Sequence, residues 1–270
     1  MGEARTKSRN LSALIASETR CIYCENKPTQ IEHMPPRAMF REKSRPNGME
    51  FAACADCNNG TSPADLAASF FARLSAFGPF DHWSTYEARD RLNTLERMAP
   101  GVRSELFDND RIERKWIKSP AGIIQERIQT SADGPLAEAY LKTFSAKLAM
   151  ALYREHTGEP IPLDGRIEVK WYLNAGLAEH EAHALLSILP IGASLNQGTW
   201  SVPDQFAYRY NTDGRGIVAA LVSFHSNLHI FAMASSDPAY EKLEKWNSHI
   251  LRPGTLREMM PKRPPLVLHT

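Results

Sequence analysis

Two C-x-x-C pairs, Cys21/Cys24 and Cys54/Cys57, hold every cysteine of the 270-residue chain and fix what its first part can fold into. Each pair offers two sulfurs from one tight turn. Two such turns brought together make the tetrahedral thiolate shell of a structural zinc ion, closed to substrate. The expected job of Cys21, Cys24, Cys54 and Cys57 is therefore to staple a segment too small to fold on its own core. No run of the sequence approaches the ~18–20 apolar residues that span a bilayer. Met1 to Asn10 is polar and basic, without the apolar stretch of an export signal. Reduced, metal-binding thiols, a cytoplasmic location and no membrane partner are the expectations.

Between the pairs lies a short strand signal, Ile31-Glu32-His33-Met34, stopped by Pro35-Pro36. A second strand is expected just before Cys54. The insert between them carries Arg37, Arg41, Lys43 and Arg45 against Glu42, with a turn at Asn47-Gly48. That insert reads either as a solvated loop or as a contact to phosphate. With a formal charge of only +1, the chain has no general attraction for polyanions, so any nucleic-acid surface must be a local patch of this kind.

The array C-x-x-C, then E-H-x-P-P, then C-x-x-C-N-N-G-x-S resembles the HNH endonucleases, the ββα-metal or His-Me finger family, in their zinc-stapled branch. The resemblance covers about residues 18–77. It implies that His33 is the general base, a neutral imidazole taking a proton from the attacking water. It implies that Glu32 and Asn58 hold one catalytic Mg²⁺ or Mn²⁺ through oxygen, and that the products carry 5′-phosphate and 3′-hydroxyl ends. Two positions depart from the pattern. The family's middle Asn falls on Met49, with Asn47 the nearest candidate two residues away. Gly60 and Pro63 interrupt the helix that should carry the metal ligand, which would place Asn58 in the knuckle turn and the helix start near Ser62. Asn59 and Asp65 are then further candidate ligands.

The rest of the chain reads as mixed structure. Ser62-Pro63-Ala64-Asp65 starts a helix expected to reach Gly78-Pro79. Further helices are expected at Thr85–Met98, Pro135–His156, around Leu177–Ile188, and from Ser236 to about Ile250. Ile167–Leu173, Gln205–Tyr210, Ile217–His225 and Leu228–Met233 read as strands, the last three as an antiparallel meander. Residues 111–130 fit a hairpin or a broken helix. Phe206, Tyr208 and Tyr210 alternate on one strand face, as a sheet core or as a base-stacking platform, and Trp171 and Trp200 read as core. His180 and His183 have the wrong spacing for a helical zinc pair and read as helix surface.

The fold class expected is α+β: a basic arm over 1–17 (Arg5, Lys7 and Arg9, with Arg20 just beyond), a zinc-stapled ββα-metal domain over 18–77, and an α+β region over 78–270 with helices and an antiparallel sheet. The function expected is a metal-dependent HNH endonuclease acting on nucleic acid, DNA first, with a homodimer or protein partner engaged through 78–270. The alternative is a zinc-stabilised binding module for nucleic acid or protein without catalysis.

Overall fold

The structure, a computed structural model, describes residues 12–74, 85–118, 122–173, 177–225, 227–241 and 247–262. Arg5, Lys7 and Arg9 of the basic arm lie outside them. Strand β1 (Gln30–His33) pairs antiparallel with β2 (Glu50–Ala53), Gln30 opposite Ala53 and His33 opposite Glu50. Pro35 and Pro36, which have no N–H to donate, end β1. The connection then makes two 3-10 turns, Arg37–Met39 and Arg41–Lys43. Arg45 closes this loop by donating to the carbonyls of Met34, Pro35, Pro46, Gly48 and Met49. Its guanidinium replaces the ladder that the prolines forbid.

Helix α1 (Ala55–Gly60) starts on the second knuckle, where the Cys54 Sγ accepts from the Cys57 N–H. Helix α2 (Ser62–Arg73) follows after a break at Thr61, whose hydroxyl donates to the Cys57 carbonyl at 2.5 Å. Pro63, in the first turn of α2, cannot donate into a continuous helix, so the expected start near Ser62 is found and Asn58 belongs to a short separate helix. The C-terminal end differs from expectation. α2 stops at Arg73 and Leu74 is already extended, while Phe77-Gly78-Pro79 lies outside the described residues.

Helices α3 (Thr85–Met98) and α4 (Val102–Leu106) lead to the hairpin β3 (Ile112–Lys118) and β4 (Ile124–Thr130), which settles the open reading of 111–130. Helix α5 (Pro135–Thr157) then crosses the molecule, closed by Gly158 at φ 85°. It lies on a six-stranded antiparallel sheet. The strands are β5 (Arg166–Leu173), β6 (Ile191–Ala193), β9 (Phe206–Thr212), β10 (Ile217–Phe224), β11 (Leu228–Ser235) and β12 (His249–Leu251), in the order β12-β5-β11-β10-β9-β6. The expected meander is β9-β10-β11. Helix α6 (Glu179–Ile188) precedes β6, a two-stranded ribbon of β7 (Asn196–Gln197) and β8 (Trp200–Ser201) precedes β9, and α7 (Leu256–Met259) follows β12. Among the described residues no helix is long and apolar enough to cross a membrane.

Two further expectations are corrected. The helix from Ser236 to about Ile250 does not form as such: 237–239 lie in a turn, and His249–Leu251 is a strand on the β5 edge, with 242–246 outside the described residues. Trp200 is not core; it sits exposed on the short β8 ribbon, while Trp171 is half-buried and stacks on His249. Phe206 and Tyr208 are buried, and Tyr210 stacks on His156. This face is therefore sheet core rather than an open stacking platform.

One contiguous set of buried side chains runs from Cys21 and Phe40 through Phe70, Leu95 and Phe144 to Phe224 and Leu256. The knuckles thus share a core with the sheet. The start of α5 is held by Glu105 of α4, whose carboxylate accepts from the backbone N–H groups of Leu136 and Ala137 at 2.9 and 2.8 Å. These are two of the donors a helix start leaves unpaired, and the negative charge suits that end of the helix. Gly134 makes the approach possible, since a Cβ there would fall 2.1 Å from the Glu105 Cδ. Glu105→Ala is expected to lower stability by about 1 kcal/mol. Gly134→Ala should do the same by displacing Glu105, and in the double variant the two losses should not add, as read by urea unfolding.

Candidate metal centre and hairpin site

The four cysteine sulfurs, all buried, lie within 4.8 Å of one another. Cys24 Sγ is 3.7 Å from Cys54 Sγ and 3.5 Å from Cys57 Sγ. Four sulfurs at ~2.3 Å from a tetrahedral zinc would stand about 3.8 Å apart, so the shell fits the ion in size and in donor type. Backbone amides already point at it: Tyr23 N–H to Cys21 Sγ and Cys57 N–H to Cys54 Sγ. The Cys21 thiol is drawn down to about 5, chiefly by the neighbouring Cys57 thiol. Burial meanwhile pushes Cys24 up to about 12. One thiolate in this cluster raises the cost of the next, and a dication removes that cost by holding all four deprotonated. The cysteine cluster is thus a site that could bind a metal ion such as zinc.

Neighbouring residues on β1 point to opposite faces, which divides Glu32 from His33. Glu32 is turned inward and only 2% exposed. There it meets Lys147 of α5, itself fully buried, whose Nζ is 3.5 Å from the Glu32 carboxylate. The same ammonium donates to both oxygens of Asp65, at 2.8 and 2.7 Å, and stands over the Tyr23 ring. Two carboxylates thus face one ammonium. Burial pushes the Glu32 carboxyl up to about 7 against the pull of Lys147. Burial alone would lower Lys147, but Asp65 and Glu32 hold it above its usual value.

His33 is turned outward and keeps 21% of its side chain exposed. Its Nε2 is 3.4 Å from an Arg37 guanidinium nitrogen and 3.7 Å from the carboxylate of Glu50, its cross-strand partner. An arginine can only donate, so in that contact Nε2 serves as the acceptor, the form a general base requires. Asn58 packs back on β1, its amide nitrogen donating to Gln30 Oε1 at 3.0 Å and toward the Ile31 carbonyl at 3.4 Å. Asn59 faces outward from α1. Met49, at the middle-Asn position, has φ 49° and gives its carbonyl to Met34 N–H and Arg45, while Asn47 is exposed on the loop.

The basic residues separate by role. Arg45 is the loop clamp described above, and Arg41 pairs with Asp204 at 2.9 Å. Arg20 donates to the carbonyls of Pro160 and Ile161. Lys43 is exposed, and Arg37 stands at His33. The sequence reading passed over Lys147, Glu50 and the particular place of Arg37. Lys147 had a signal: it falls on the apolar stripe of α5 between Phe144 and Leu148, where a lysine needs a partner. His180 and His183 are exposed on α6, and His225 is buried with Nε2 2.7 Å from the Met39 carbonyl.

The donor types of Glu32 and Asn58 suit a hard divalent cation. Their placement differs from a shared ion site: the Glu32 carboxylate faces the buried Lys147 ammonium, and Asn58 is turned to β1 through its amide nitrogen. Comparison with protein-family models, curated proteins and solved structures finds no match.

Metal analysis of the purified protein is expected to give about one zinc per chain. Stripping it with a strong chelator, or changing Cys57→Ser, should unfold the knuckles and lower the melting temperature of the whole chain, because the core is shared. Full helicity and an unchanged melting temperature without metal would count against the staple.

Proposed function

We propose that the protein is a phosphodiester hydrolase of the HNH type acting on nucleic acid, with DNA the expected substrate. The observation that supports it is the position of His33. A two-stranded hairpin followed by a helix docked on its first strand, with the cysteine shell behind, leaves this imidazole on the open face beside a guanidinium. In this reading Arg37 draws a phosphate to the hairpin through charge-assisted hydrogen bonds. His33 Nε2 then takes the proton of a water aligned on phosphorus as the new P–O bond forms and the bond to the 3′ oxygen breaks, that oxygen leaving as a hydroxyl with a proton from solvent. Glu50 lies close enough to steady the imidazolium that results. Lys43 and the 3-10 turns extend the basic edge along the backbone of the substrate. The Mg²⁺ or Mn²⁺ of the HNH pattern would be held by Glu32 and Asn58 and would supply positive charge at the phosphate; in this fold the Glu32 carboxylate instead faces the Lys147 ammonium.

A second reading is favoured by that same placement. With Glu32 committed to Lys147, the hairpin would serve as a zinc-stabilised module that binds nucleic acid or protein without cutting. Supercoiled plasmid and single-stranded DNA incubated with the zinc-loaded protein, with Mg²⁺, with Mn²⁺ and with a mild chelator that leaves the thiolate site loaded, separate the two. Cleavage is expected, and His33→Ala should reduce it by about 10²–10⁴-fold with the fold unchanged. Arg37→Ala should weaken binding and flatten its salt dependence. Cleavage undiminished in His33→Ala would refute the mechanism; binding without cleavage in the wild type supports the second reading.

A further inference from the structure

We infer that Lys147 is a built-in cation at the hairpin, taking at Glu32 the position a divalent ion would otherwise fill, so that the chain holds Glu32 in place without a second metal. The ammonium comes from α5, 82 residues beyond Asp65, yet lies within 2.7–3.5 Å of carboxylates from β1 and α2. It is fully buried, with Glu32 2% and Asp65 8% exposed. A buried ammonium persists only where anionic oxygen surrounds it, and a buried carboxylate only where positive charge does. Each is the other's condition for being there. The Asp65 carboxylate is what fixes the ammonium: it takes two hydrogen bonds, and Glu32 Oε2, which accepts no hydrogen bond, stands 3.5 Å from Nζ as its ion-pair partner. The role of Lys147 is that of a positioning residue. It keeps Glu32 inward, and by the alternation of β1 it therefore keeps His33 outward.

This inference rests on the proposed function only for the meaning of the site; its test does not. Mn²⁺ is titrated into zinc-loaded protein and followed by electron paramagnetic resonance, together with the melting temperature. Wild type and Glu32→Gln should give the same Mn²⁺ titration and no Mn²⁺-dependent rise in melting temperature. Lys147→Met should melt lower without Mn²⁺ and recover with it. It should also gain Mn²⁺ affinity of at least tenfold, lost again in Glu32→Gln/Lys147→Met. If Lys147→Met does not fold, Lys147→Met/Asp65→Asn, with one buried carboxylate fewer, carries the same measurements. Mn²⁺ binding in the wild type that Glu32→Gln abolishes would overturn the inference. So would a folded lysine variant that gains no Mn²⁺ binding. Neither outcome depends on cleavage, so a chain that fails to cut DNA can still pass, and one that cuts can still fail.

Discussion

The pairing of Lys147 with Asp65 and Glu32 is the constraint on which the rest of the molecule depends. It joins the hairpin, the helix after the knuckles and the long helix on the sheet at one buried point. Apolar packing can slide by a rotamer at small cost, but a buried ammonium cannot leave its carboxylates without stranding charge, at about 3–5 kcal/mol for a lost partner. The triad therefore fixes the register between α5 and the hairpin in a way that the surrounding alanines and phenylalanines do not. The four-cysteine cluster, which could hold a metal ion such as zinc, lies on the other side of the same hairpin. Tyr23, between Cys21 and Cys24, lies under the Lys147 ammonium and so links the two anchors.

This arrangement explains why the knuckle segment is not an appendage. A hairpin of four-residue strands with a six-residue helix is too small to bury a core of its own. Here it gains one by contributing Ile22, Met39, Phe40 and Phe51 to the set that includes Phe144 and Phe224. Helix α7 and the chain before it reinforce the seam. Gly254 N–H donates to the Tyr23 carbonyl, and Arg257 stands 3.3 Å from Asp56 on α1. The cysteine cluster and the shared core thus do complementary work: the first gathers the two knuckles, the second gives them something to fold against.

Much of the fold was legible because it rests on local rules. Two C-x-x-C turns, Pro35-Pro36 after a short strand, Ser62-Pro63 at a helix start and a 3.6-residue stripe from Leu136 to Leu152 each carry their own physics. Illegible parts depended on partners distant in sequence. The edge strand His249–Leu251 has no alternation of its own and is a strand because β5 offers an open edge. Trp200 follows no burial rule that a two-residue ribbon could satisfy. In the site, the cysteine shell was readable from spacing, whereas the partner of Glu32 lies 115 positions away, and no local rule says which carboxylate a lysine of α5 will meet. A buried lysine on an apolar stripe is the one signal that pointed to it.

Adjacent residues on a strand see different solvents, and that sets what Glu32 and His33 can do. A carboxylate in the interior is spent on charge balance; the imidazole on the other face keeps about a fifth of its side chain exposed, beside Arg37 and Glu50. The E-H pair therefore splits into an inward half set against Lys147 and an outward half set between Arg37 and Glu50. The two halves remain coupled through the backbone, since any motion of α5 that moves Lys147 must pull Glu32, and a twist of β1 turns both side chains at once. In this molecule the imidazole and the buried carboxylate are one strand seen from its two faces, with the long helix as the element that sets its angle.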